Sequence, residues 1–244
     1  MLSSPFTNRS SRMGGDENPY WISFSDIMAG LLVIFILASI HLILELAEQK
    51  EAIKLDIELI KRVHEIRAQM LLEIKEELAK ERINVEISDN ESVLHIPDEL
   101  AFAENKATIP KDKEIFVGKV GEAIFSALMR EKRMEFVDTI FIEGHTDSKP
   151  APRYPNGNWG LSTDRAISIW KYWIEKLEVG QEIQAIENKE GHKIFSVSGY
   201  AATRRIVEPD TTDSQRRRNR RIDIRFTMFS PSVRDFESIL GNIQ

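Results

Sequence analysis

The sequence predicts a single-pass membrane helix, a helical connector and a folded α/β domain of the α+β sandwich kind, in that order. Three observations carry this. Ile22 to Leu44 is an apolar run of 23 residues, about 35 Å long as a helix, enough to cross a hydrocarbon core of about 30 Å. Leu46 to Arg82 contains no Pro or Gly and is dense in Glu, Lys, Leu and Ile, a composition that favours helix. From Ile83 onward, short alternating runs give way to strands separated by helix-period segments, the pattern of helices packed on one sheet.

Residues 1–19 are polar and rich in Ser, Asn and Gly, too short and hydrophilic to fold alone. The span is set at 20–45, where Tyr20 and Trp21 supply the amphipathic aromatics of a membrane interface. Its apolar run is too long for a secretory signal, and no small-residue cleavage pattern follows it. In the connector, 46–82, apolar Leu55, Leu59, Val63, Ile66, Met70, Ile74 and Leu78 recur every three or four residues. This stripe suits either a dimer coiled coil or an amphipathic helix leaning on the domain, and a second partial stripe at Ile53, Ile57 and Ile60 blurs a strict heptad.

The domain, 83–230, opens with strands at Ile83 to Ser88 and Val93 to Ile96, divided by the turn-prone Asp89-Asn90. A helix is expected over Lys111 to Arg130, a buried strand over Thr139 to Glu143, and a helix over Ser162 to Leu177 with Ser162 as its cap. Strands over Lys193 to Ser198 and Arg221 to Met228 complete the domain, and 231–244 form a C-terminal tail.

Composition removes several classes of function. There are no cysteines, so disulfides are excluded. The net charge of −6 argues against general attraction to nucleic acid or anionic lipid. Arg216 to Arg221 resembles a nucleic-acid patch in isolation, but Asp210 and Asp213 stand beside it, and a solvated, partly paired face is the expectation. The five histidines, His41, His64, His95, His145 and His192, are scattered without metal-ligand spacing. No Ser-His-Asp constellation, carboxylate pair or metal cluster points to an enzyme, and no metal or cofactor is expected.

Two features remain for function. Asp26 lies alone near the first end of the span, where a charge at mid-bilayer costs on the order of 3 kcal/mol, so an ionisable group there is a functional candidate. In the domain, Gly144-His-Thr-Asp147 presents a carboxylate from a strand end, and Leu161-Ser-x-x-Arg165-Ala starts a helix with Arg165 in its first turn. Helix amides and a guanidinium both favour an anion. Asp147 beside Arg165 therefore suits a zwitterion, a carboxylate and an ammonium close together; equally, the two side chains could pair with each other as a loop clamp.

Gly144-His-Thr-Asp147, Asn158, Leu161-Ser162, Arg165-Ala166, Gly199, Arg216 and Asn219-Arg-Arg221 together resemble the OmpA-like peptidoglycan-binding domain over residues 85–229. The resemblance implies that Asp147 and Arg165 hold the diaminopimelate residue of the cell-wall peptide. It places Asn158 and Leu161 at the border of that pocket, with Arg220 and Arg221 nearby in a largely structural role. About three extra residues around Pro150 to Pro155 lengthen the first loop, and Gln215 stands where the family often has Gly.

Trp21-Ile-Ser-Phe-Ser-Asp26-Ile-Met resembles the membrane segment of MotB-type stator subunits, and one helix, a connector and an OmpA-like domain is their layout. Arg9 and Arg12 before the span, against Lys50, Lys54, Lys61 and Arg62 after it, leave orientation undecided by charge. The resemblance implies a cytoplasmic amino terminus, a periplasmic domain and residence in the bacterial inner membrane. It further implies a homodimer of this chain inside a ring of five MotA-like multi-spanning subunits, with peptidoglycan as anchor and no direct nucleic-acid contact. Within that class the long charged helix resembles ZorB-type subunits of Zorya anti-phage defence systems, with a flagellar-type stator subunit or a passive membrane-to-wall anchor as alternatives. The implied mechanism is ion translocation: a proton or sodium ion binds Asp26, neutralises a charge that is costly to hold in the membrane, and drives rotation of the partner ring.

Overall fold

The computed structural model describes residues 19–88 and 90–229; both predicted tails, apart from Pro19, and Asp89 lie outside them. The chain divides into two compact units, Met1–Lys54 and Leu55–Gln244. Helix α1 runs Pro19–Lys80. In the first unit it carries exposed apolar side chains on all sides, among them Phe24, Leu31, Val33, Phe35, Leu37 and Ile40. This part of α1 is long and apolar enough to cross a membrane.

The second unit contains the domain. Strands β1 (Glu86–Ile87), β2 (Val93–Pro97), β3 (Val137–His145), β4 (Phe195–Gly199) and β5 (Arg221–Met228) form one sheet in the order β1-β2-β5-β3-β4. Only β3 and β4 are parallel; β5 lies antiparallel between β2 and β3. Helices α2 (Glu114–Met129) and α3 (Gly157–Lys176) contribute to a core with the strand residues Leu94, Ile96, Ile140, Ile142, Ile222, Ile224 and Phe226. Two short helices not foreseen, α4 (Gly180–Ala185) and α5 (Asp213–Asn219), are too brief to show periodicity. Helix α5 is announced instead by a capping box between Thr212 and Gln215.

The sequence expectations need three corrections of extent. Strand β1 shrinks to Glu86–Ile87, because the Ile83 amide closes the end of α1 on the Leu78 carbonyl. Strand β4 begins at Phe195. Helix α3 begins at Gly157, so Ser162 is not its cap and Arg165 is not in its first turn. The turn Asn156-Gly157 starts it earlier, with Asn156 and Gly157 both at positive φ. Asn, Gly and Trp there hide the apolar period that marks the rest of the helix.

The connector stripe is occupied within one chain from Ile66 to Leu78, while Leu55 at its start is exposed. Met70, Ile74 and Leu78, with Leu71 beside them, belong to the domain core, and Ile66 packs against it. Ile57 and Ile60, from the second stripe, are exposed. Glu73 fixes the same stretch through ion pairs to buried Arg133 at 2.7 Å and to Arg130 at 3.2 Å. The Arg133 bond, with both arginine charges near, holds the Glu73 carboxyl below its usual range despite partial burial. Glu73→Ala leaves the Arg133 guanidinium buried without its bidentate partner, and thermal unfolding should register a loss of about 2 kcal/mol.

Candidate functional site

The sheet topology delivers charge to one end of the domain. Because β2 and β3 both run antiparallel to β5, Pro97, Arg221 and His145 lie side by side at that end. The residues just beyond them are Asp98 after β2, Asp147 after β3 and Arg220 before β5. Gly144 and Gly199 let α3 close on the sheet there, since a Cβ on Gly144 would lie 1.9 Å from the Ser162 carbonyl oxygen. This close approach brings Arg165 of α3 over the strand ends.

The result is a cavity of about 270 Å³ whose lining includes Asp98, Phe102, Asp147, Asn158, Leu161, Arg165 and Arg220. All five predicted binding residues, Asp147, Arg165, Asn158, Leu161 and Arg220, therefore line one pocket. The alternative of a clamp between Asp147 and Arg165 is not what forms. Arg165 instead donates from Nη1 to Asp98 Oδ2 at 2.6 Å and from Nε to the Lys106 carbonyl at 2.9 Å, over the Phe102 ring. Arg220 Nη1 donates to Asp147 Oδ2 at 2.7 Å, and its Nε lies 3.7 Å from Asp98 Oδ1. The four charges form an alternating row: Arg165, Asp98, Arg220, Asp147.

Burial acts on the row from both sides. It pushes the Asp98 carboxyl up in spite of Arg165 and Arg220, and lowers Arg165 in spite of Asp98. Burial would lower Arg220 too, but the Asp147 bond and the Asp98 charge carry it above its usual value. Arg220 is thus a charge-bearing member of the pocket as well as a brace. Asn158 spends its amide on the loop, donating to the carbonyls of Asp147 and Lys149 at 3.3 and 3.1 Å. Leu161 is buried and forms an apolar wall. Asp98 was missed by motif reading, yet a signal existed: it directly follows β2, and Asp147 stands two residues past β3, at strand ends the topology brings to this edge.

Scattered histidines also converge. On the sheet face away from the core, Glu143 pairs in register with Asp223. His145 Nε2 sits 3.2 Å from Asp223 Oδ2, while His95 Nδ1 lies 2.7 Å from Oδ1. Glu143, His145 and Asp223 are close enough to suggest a metal site. They do not fit one, because Arg225 already holds Glu143 in a fork at 3.0 and 2.8 Å and Arg221 already holds Asp223. A cation added here would face two guanidinium groups. Much of the arginine run is likewise committed: Arg221 is buried on Asp223, Arg216 bonds the Thr211 carbonyl, and Arg217 lies 3.3 Å from Asp213, while Arg218 is exposed.

These networks give acid sensitivity a sign. Burial would raise Asp210, but bonds from Ser148 and Asn219, with Arg205 near, hold it down to about 2. Burial is likewise overridden in Asp223 by His145, His95 and Arg221, and in Glu143 by His145 and Arg225. A carboxylate depressed on folding contributes stability above its unfolded pKa and loses it as pH falls toward its folded one. The domain should therefore lose stability between about pH 4 and 2, and Asp210→Asn should flatten that fall in a series of thermal melts.

In the first unit, Asp26 stands exposed on α1 among exposed Phe24, Ile27, Met28 and Leu31. A long apolar helix that carries Asp26 and a domain with a two-signed pocket are thus present in one chain.

Residues 101–220 match the OmpA family. The folded domain is similar to that family over this stretch. The chain is 24% identical over 216 residues to Zorya protein ZorB of Escherichia coli, covering 84% of this chain and 86% of that one. It is 23% identical over 160 residues to Motility protein B of Bacillus subtilis, covering 65% of this chain and 54% of that one, so it aligns with about half of that relative's length. Among solved structures, a MotB-like protein from Desulfovibrio vulgaris superposes with a TM-score of 0.53 at 20% identity, covering 69% of this chain and 95% of that one. That likeness shows the fold: an OmpA-like mixed α/β domain, here preceded by a long apolar helix. The chain is thus similar to MotB-like and OmpA-like proteins.

Proposed function

We propose that the chain is the wall-anchored subunit of an ion-driven membrane motor of the MotA/MotB type. The observation that carries this is the alternating row of charges in the OmpA-family pocket. Its inner members, Asp98 and Arg220, face charges on both sides, so the row is neutral and its ends, Asp147 and Arg165, are of opposite sign. A ligand with an ammonium for Asp147 and a carboxylate for Arg165 complements both ends and adds no net charge. The zwitterionic end of diaminopimelate in peptidoglycan has that chemistry.

In this reading α1 crosses the bacterial inner membrane with its amino terminus in the cytoplasm and the domain in the periplasm. Two copies of the chain sit within five MotA-like subunits. A proton or sodium ion binds Asp26, and each change of charge favours a different contact with the ring. One charge moved through the membrane potential yields about 2.3 kcal/mol per 100 mV. The wall-bound domain keeps the subunit still while the ring turns. Anti-phage defence is the favoured use, supported by the coverage of Zorya protein ZorB against that of Motility protein B; the flagellar-type stator is the second reading.

Co-sedimentation with purified sacculi tests the anchor. The full chain in detergent should pellet with the wall and be displaced by a diaminopimelate-containing peptide. Asp147→Ala should weaken binding by about 2 kcal/mol or more. Equal pelleting of wild type and variant would sink the proposed pocket.

A further inference from the structure

We propose that His41 is a second proton acceptor on the face of α1 that carries Asp26, standing between that carboxylate and the far end of the span. The inference rests on the motor reading above. Asp26, Gly30, Leu37 and His41 all lie in the continuous helix Pro19–Lys80. At about 100° per residue they fall within a band of about 60°, and His41 stands roughly 23 Å along the axis from Asp26. Both side chains are exposed in the isolated chain. Between them the helix offers no other titratable group.

The same band continues past the span through Glu48 and Glu51, while Lys50 lies about 120° from Asp26 on the other side. One face therefore reads, from its far end inward, the Glu51 and Glu48 carboxylates, apolar Leu44, the His41 imidazole, apolar Leu37 and Val33, the gap at Gly30 and the Asp26 carboxylate. The carboxylates would draw cations toward the mouth, and the imidazole would take up a proton there. Ser39 cannot share this role: it lies about 140° from Asp26 on the opposite side, and its hydroxyl donates to the Phe35 carbonyl at 2.7 Å.

The step is a proton transfer and leaves no covalent change. A hydronium ion gives its proton to the unprotonated nitrogen of His41 and becomes water. The imidazolium later returns that proton to water lining the face, from which the Asp26 carboxylate receives one. Glu45 and Glu48, a turn and two turns further on, are the charged groups on the same helix that face His41. Among the described residues no other element of the first unit packs against it. An imidazole passes protons and not sodium, so the proposal commits the motor to protons.

The test uses the full chain co-purified with its multi-spanning partner, reconstituted in liposomes with an internal pH dye and a potassium diffusion potential. Wild type should conduct protons. His41→Leu should lower the flux, and His41→Glu, which again supplies a proton acceptor at that place, should restore it. Co-purification of partner with each variant reports assembly. If His41→Leu keeps the wild-type flux, or His41→Glu fails to restore a lowered one, while Asp26→Asn is silent, the His41 proposal is overturned and the motor reading stands. If Asp26→Asn conducts like wild type, the motor reading falls and this proposal with it.

Discussion

Asp26→Asn should abolish ion-driven function while the complex still assembles. Asparagine keeps the size and polarity of the side chain, so helix packing in the membrane should change little. What it removes is the capacity to alternate between a charged and a neutral state. A group that cannot take and release an ion cannot couple the membrane potential, worth about 2.3 kcal/mol per charge per 100 mV, to a change of contact. The measurement is ion flux through the purified complex, together with phage protection of cells expressing the intact system. Full protection with Asp26→Asn would return the chain to a passive membrane-to-wall anchor.

Arg165→Ala should destabilise the domain by about 3–5 kcal/mol, because it strands Asp98 in the protein interior without its ion partner. Arg165 is 1% exposed and Asp98 5%, and the bond between them is 2.6 Å. Burial already pushes the Asp98 carboxyl up, so loss of the guanidinium leaves desolvation unopposed except by Arg220 at 3.7 Å. Replacing the pair together, Arg165→Met with Asp98→Asn, should recover most of the stability, since no isolated charge remains. It should not recover sacculus binding, because the positive end of the row is gone. Thermal unfolding and co-sedimentation of the single and double variants separate the two roles, and a double variant that binds wall as well as wild type would remove Arg165 from the ligand.

These two residues also show how much of the site could be read in advance. Asp147, Arg165, Asn158, Leu161 and Arg220 were legible because they sit in spaced motifs, and each lines the pocket. Their bonding was not legible. One of two readings paired Arg165 with Asp147, but its partner is Asp98, 67 positions earlier in the chain. No local pattern carries a contact of that separation; the register of β2, β5 and β3 does. The start of α3 was misplaced for a related reason. Its first turn is held by Asn156 and Gly157 at positive φ and by Gly160 packed against the Pro155 carbonyl, none of which has an apolar period. The histidines show the opposite case: spacing that looked meaningless in the chain becomes the paired surroundings of Asp223 once strands align.

By itself the sequence determined an apolar helix long enough to cross a membrane, the place of Asp26 within it, the α/β character of the domain and the residue types of the pocket. Those depend on composition and on periods of two and 3.6 residues, which are local properties of a chain. The tertiary structure alone decided which charges neutralise which. It gave Arg165 to Asp98 and Asp147 to Arg220, filled the Glu143 and Asp223 carboxylates with arginines, and turned the connector stripe from Ile66 to Leu78 onto the domain core. The reason is physical: a charge has no preferred partner at a fixed distance along the chain, and takes whichever opposite charge the packed strands and helices bring within reach.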